Sequence, residues 1–310
     1  MMKFIRFVKI LFWVLAFLPI GTYGQSIHYF DLIHQADSLF NLRDFKTSSQ
    51  IYSQALRLNP HTIIEDDYYN AIIALSHSDK LDSSFILLND LDQKKHFSAF
   101  KDFLEDSLGT KIRNDKRWPE YLKRLILNHN EAQKHYLNGV KSKLERVFKD
   151  DQRYRQKLNE YFKKYGVNSH EVGRLYDSMA IMDNRNLKIV MNILNKYGWM
   201  GKDKIGDRGE TAIWTVIQHA DDYPNLQFQY LKMFKKALDR HISDSKPKYA
   251  LLKDRVFIYK YKYQIFGTQL YRNSKGKLYP LPIKDSIHVD QRRAEFGLPP
   301  LKYYLYESNK

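Results

Sequence analysis

Three polar side chains in the C-terminal half stand where helical spacing calls for apolar ones. Arg255 projects into the stripe made by Leu251, Leu252, Val256 and Tyr259, and Asp254 borders that stripe. A guanidinium in such a place needs an acid beside it, because an unpaired buried charge is expensive. The candidate acids are Asp151, Asp221 and Asp222. His219 borders the stripe of Ala212, Ile213, Val216, Ile217 and Ala220, and Asp221 follows it by two residues. Further on, Gln264 and Thr268 fall on one face of an expected strand, with Gln269 and Tyr271 on the other.

These types can do definite chemistry. His219 with Asp221 or Asp254 makes a general base near neutral pH. Arg255 can clamp a carboxylate or phosphate in bidentate fashion. Gln264, Thr268 and Gln269 can orient a carbonyl or a sugar, and Asp151 and Gln152 complete the candidate binding set. His219-x-Asp221 supplies two metal ligands but no third is identifiable, so no metal site and no cofactor are expected. There is no glycine-rich phosphate loop and no serine in a nucleophile-like setting. Polar groups converging in a helical core form either a site or a structural network, and a lone helix-edge histidine is commonly structural.

The elements that must position these residues read mainly as helices. Asp183-Asn184 caps a helix carrying Leu187, Val190, Met191 and Leu194, which stops at Gly198. A second runs from Glu210 to Ala220, and Pro224 and Pro247 open a third and a fourth. The period then changes to two. Residues 264–272 read as a strand, 273–276 as a turn and 277–283 as its partner.

An ordered set of short motifs runs through this half. They are Asp151-Gln152-x-Tyr154-Arg155, Gly198-Trp199, Gln218-His219-Ala220-Asp221, Leu252-Lys253-Asp254-Arg255, Gln264-x-x-Gly267-Thr268-Gln269, Pro282-Ile283 and Arg292-Arg293-x3-Gly297-Leu298. The set resembles a bacterial domain of unknown function of the DUF six-six-two-four type, covering roughly 144–306. The resemblance implies a domain and a candidate site, not a reaction.

Residues 29–95 carry a different pattern. Ala36, Leu39, Phe45, Ser48, Tyr52, Ala55 and Pro60 have the spacing of two antiparallel helices, with small residues at the close approach and Arg43-Asp44 at the turn. This resembles a tetratricopeptide repeat, with Leu32 in place of the usual first-helix aromatic. A weaker copy holds Ile72, Leu75, Leu81, Ser84, Leu88 and Leu91, 36 residues further on. Phe97, Phe100, Phe103 and Leu104 are expected to form a closing helix, since such repeats need neighbours. Trp118, Tyr121, Leu122, Leu125 and Ile126 continue at helical spacing, followed by a basic helix through Leu144, Val147 and Phe148. The expected fold is mainly α: tetratricopeptide-like hairpins, then a helical domain with one β-hairpin.

The chain has 310 residues, 43% of them hydrophobic, with 13 Gly, 9 Pro and no Cys, which excludes collagen, disulfide scaffolds and thiolate chemistry. Lys3, Arg6 and Lys9 precede the apolar run Ile10–Ile20, with Thr22 and Gly24 before Gln25, the pattern of a cleaved secretory signal. The expected layout is a signal at 1–24, acidic repeats at 25–110, connecting helices at 111–143 and a basic domain at 144–310. Residues 25–110 hold 7 Lys and Arg against 13 Asp and Glu, whereas 111–310 hold 41 against 22. The mature protein is expected to be periplasmic or secreted and without a membrane span. Its expected partners are a protein or peptide at the repeats and a polyanionic envelope component at the basic domain. Two functions stand side by side: an interaction protein binding through the His/Asp/Arg/Gln cluster, or a hydrolase using His219 and an Arg255 clamp.

Overall fold

A computed structural model describes residues 20–58, 65–93, 104–273 and 276–309, with the side chains of 20–27 and Gln93 left aside. Most of the expected signal, Pro60 and the phenylalanines 97, 100 and 103 lie outside the described residues.

The N-terminal module is a run of antiparallel helices: α1 (Ile20–Asn41), α2 (Phe45–Arg57), α3 (Glu65–His77) and α4 (Leu81–Gln93). Each packs on the next, and Ala36, Ala55, Ala71 and Ala74 are fully buried where the helices approach. The hairpin is built twice. Ser48 Oγ donates to the Ala36 carbonyl at 2.9 Å, and Ser84 Oγ donates to the Ile72 carbonyl at 3.0 Å. The turns match too: Arg43 and Asp79 both take positive φ, at 64° and 57°. Each serine is buried yet bonded across the seam, so the small residue and its hydroxyl serve the same close approach.

Helices α5 (Thr110–Arg113) and α6 (Trp118–Gln133) follow. Ile112, Trp118, Tyr121 and Leu125 complete one core with Ile72, Ile73, Phe85, Leu88 and Leu91.

The second half begins with α7 (Asn138–Arg155), α8 (Leu158–Tyr165) and α9 (His170–Tyr197). Then come α10 (Lys202–Gln218), α11 (Pro224–Asp239) and α12 (Lys246–Tyr261). Their main core joins Leu144, Val147, Val190, Leu194, Ile213, Ile217, Phe234 and Leu252, and Trp199 stacks on Phe234 at 4.0 Å. Strands β1 (Leu270–Arg272) and β2 (Leu278–Pro280) pair antiparallel, with Tyr271 opposite Tyr279. Short helices α13 (Val289–Glu295) and α14 (Leu301–Ser308) end the chain. No helix of the described residues is long and apolar enough to cross a membrane.

Two local expectations are corrected. Asp183 does not cap a helix: α9 runs unbroken from its Ser169 cap, and Asp183 sits in its middle. The first strand is only three residues long, because 264–269 wrap around a buried carboxylate instead of joining the ladder.

The hairpin module hides an acid of its own. Asp67 is buried and accepts the Tyr29 hydroxyl at 2.6 Å. Burial, helped by Asp37, raises its carboxyl to about 7, above the ordinary 3.8. A carboxyl raised in the folded state contributes stability below its ordinary value and loses it as pH rises toward 7. Asp67→Asn keeps an acceptor for Tyr29 and carries no charge. We expect it to be more stable than the parent at pH 8, by roughly 4 kcal/mol at most, and to show no advantage at pH 4. Denaturant unfolding at both pH values measures this, and an equal effect at the two would reject the assignment.

Candidate functional site

The candidate residues separate into two networks and one ion pair; α12 supplies Asp254 to the first network and the adjacent Arg255 to the pair with Asp221.

The first network is sealed. Asp254 is fully buried and collects the backbone N–H groups of Ile265, Phe266 and Thr268, plus the Thr268 hydroxyl, at 2.7–3.1 Å. Gln264 is fully buried as well. Its amide donates to the Gln269 and Leu281 carbonyls and accepts from Gln269 N. Gln269 reaches the Leu251 carbonyl at 3.4 Å. Gly267 takes φ 75°, and a Cβ there would stand 2.9 Å from Ile283 Cδ1. Arg293 closes the knot from below. Its guanidinium is fully buried, donates to the Phe266 and Pro299 carbonyls, and lies 5.0 Å from the Tyr304 ring centre. Burial lowers it to about 10. Asp254, Gln264, Thr268 and Gln269, expected to meet a substrate, spend their hydrogen bonds clasping the irregular segment to α12.

The second network stays partly open. Asp151, on the last turns of α7, is 1% exposed, and His219 Nδ1 lies 3.0 Å from its Oδ1. A carboxylate only accepts, so Nδ1 is the donor in this bond. His219 is the C-cap of α10, and its side chain is 26% exposed. Gln152 donates to the other Asp151 oxygen at 2.7 Å. Arg155 lies 3.1 Å from Asp151 and forms a fork with Asp183 on α9, at 2.9 and 2.7 Å. One buried acid therefore ties α7 to the end of α10, while its arginine ties α7 to α9. Tyr154, between the motif's ends, turns to a separate depression of about 240 Å³ that Tyr161, Tyr165 and Arg174 also line.

Arg255 pairs with an acid as expected: its Nη1 lies 2.7 Å from both oxygens of Asp221. It is not sealed, however, since its side chain is 30% exposed and that of Asp221 is 63% exposed. Its partner lies on the surface, while Arg255 Nε is buried and makes no hydrogen bond among the described residues. Asp221 and Asp254 do not contact His219 through any hydrogen bond among the described residues; Asp151 does. No hydrogen bond among the described residues joins His219, Arg255 and Gln264 to one another.

One member of the second network, Asp183, and one buried acid outside both networks, Glu210, were missed by sequence reasoning. Asp183 stands four residues after Met179 and four before Leu187, both buried, so its place on the inward face was legible from spacing. Glu210 is buried in α10 beside Ser245, and burial raises its carboxyl. Among the described residues no group of three or more His, Cys, Asp or Glu is arranged to hold a metal.

Residues 140–308, more than half of the chain, match a family of unknown function, DUF6624. No curated protein and no solved structure matches the chain. The matched stretch contains both networks entire, from Asp151 to Tyr304, and on that coverage the chain belongs to the DUF6624 family.

Proposed function

We propose that this is an extracytoplasmic interaction protein, in which tetratricopeptide-like hairpins take a protein or peptide and the basic DUF6624 domain takes a ligand at the His219 edge. The charge, apolar run and small residues of 1–24 support export, and the excess of cations in 111–310 supports a polyanionic envelope partner. The doubled serine-to-carbonyl seam and the 36-residue offset support the repeat reading. The observation that carries the site is the Asp151–His219 pair: a buried acid orients an imidazole whose outer part reaches solvent. That hydrogen bond also favours a second reading, a hydrolase in which His219 is the general base and Asp151, rather than Asp221 or Asp254, orients it.

The test uses the chain from Gln25 onward against anionic glycans, anionic phospholipid vesicles and chromogenic ester, glycoside and phosphate substrates. His219→Ala is expected to weaken binding of any ligand found by at least about ten-fold, or to abolish turnover. It should cost clearly less stability than Asp151→Ala. Unchanged binding and unchanged turnover would remove His219 from the function.

A further inference from the structure

The chain's last helix, α14, has two differently used faces. Leu301 and Tyr304 hold it to its own domain: Leu301 N donates to Asp290, and the Tyr304 hydroxyl donates to the Thr268 carbonyl. Lys302, Tyr303 and Tyr306 face the opposite end of the molecule and meet α1. Lys302 Nζ lies 2.9 Å from Asp31, and the Tyr303 hydroxyl donates to the same carboxylate. His34, one turn along α1, packs edge-on against the rings of Tyr303 and Tyr306, at 5.1 and 5.0 Å. The first and last described helices thus close the molecule on itself, 271 residues apart in sequence for Asp31 and Lys302.

This contact has the composition of a recognition surface rather than of a core. No residue of α14 is fully buried, and the Lys302 side chain remains 60% exposed. Exposed pairs of this kind bind weakly and are screened by salt. An eight-residue helix also has little stability of its own. Beside the contact lies a depression of about 180 Å³, lined by His34, Asp37, Asn41, Asn70 and Glu307. The module that carries it is acidic, and the segment seated against it offers one cation and two tyrosines. A tyrosine ring supplies large contact area at small entropic cost, and its hydroxyl finds the carboxylate.

We propose that the Asp31–His34 face of α1 is a docking surface for a cationic, tyrosine-bearing helical segment of a partner protein, and that α14 occupies it in the closed chain. A partner segment of the same chemistry displaces the Lys302/Tyr303/Tyr306 face from α1, while Tyr304 and Leu301 keep α14 on its own domain. The proposal deepens the reading of the hairpins as a binding module. Its test uses the chain's own segment, so its failure leaves the search for an outside ligand untouched.

A fluorescent peptide of residues 300–310 is titrated against the full chain and against the variant Lys302→Glu/Tyr303→Ala/Tyr306→Ala, with circular dichroism checking the fold. The variant is expected to bind the peptide saturably and at least about ten-fold more tightly than the parent, because competition by the resident helix is gone. Adding Asp31→Lys should abolish that binding, as should replacing the peptide's Lys302 by glutamate. Equal affinity for parent and variant, no binding to a folded variant, or binding indifferent to Asp31→Lys would each overturn the proposal. Hydrogen exchange gives a second measurement if the triple variant does not fold. Asp31→Lys alone should speed exchange in 301–308, and Lys302→Asp added to it should restore protection. Unchanged exchange in the single variant would also overturn it.

Discussion

Asp254→Ala is expected to destabilise the C-terminal domain by about 4 kcal/mol or more, the largest effect of any single truncation considered for this chain. The carboxylate is fully buried and receives three backbone N–H groups and one hydroxyl. Those amides belong to a segment with no sheet ladder to fall back on, so removing the acceptor orphans all of them at once. The cost should not stop at Asp254. Residues 264–269 carry Phe266 into a small core with Ala250 and Leu298, and Arg293 donates to the Phe266 carbonyl. Asp254→Asn should be costly too, since its NH2 would face donors. Thr268→Val keeps the backbone bond, removes the hydroxyl's bonds to Asp254 and from Gln269, and should cost about 1–2 kcal/mol. Equilibrium unfolding in urea orders the three. A loss below about 1 kcal/mol for Asp254→Ala would show that the clasp holds without its centre.

Asp151→Ala should cost about 3 kcal/mol, and the contrast with His219 is the informative part. Asp151 is 1% exposed and serves His219, Gln152 and Arg155 together. Arg155 keeps its fork with Asp183 in the variant, which limits the loss. His219 is partly exposed and can turn to water, so His219→Ala should cost far less stability. A double-mutant cycle measures the coupling, expected at about 1–2 kcal/mol for a charge-assisted bond with one partly exposed partner. If Asp151 orients His219 for function, Asp151→Ala lowers binding or turnover beyond its effect on the folded fraction. Equal stability costs for the two truncations would mark the pair as a structural strut instead.

The helices and their inward faces were legible in the sequence, because a helix's buried stripe is a local property of spacing. Ala36, Ser48, Tyr52 and Ala55 are buried as their positions required, and the second hairpin repeats them 36 residues on. Arg255 was rightly given an acid, and Asp221 is that acid. Spacing says which face turns inward but not what it meets there. His219 borders the same kind of stripe whether its partner is Asp221, two residues away, or Asp151, 68 residues away. Gln264, Thr268 and Gln269 alternate like strand residues, and Gln264 and Gln269 do exchange backbone bonds with 281–284, yet the amides of Ile265, Phe266 and Thr268 turn to Asp254 instead. The alternation was real and the ladder still lost, because a buried carboxylate must be satisfied before an exposed hairpin is extended. The seating of Lys302 and Tyr303 on Asp31 left no local trace at all. That contact exists only because the intervening helices stack in a way that brings the chain's two ends together, and no stretch of neighbouring residues encodes such a distance.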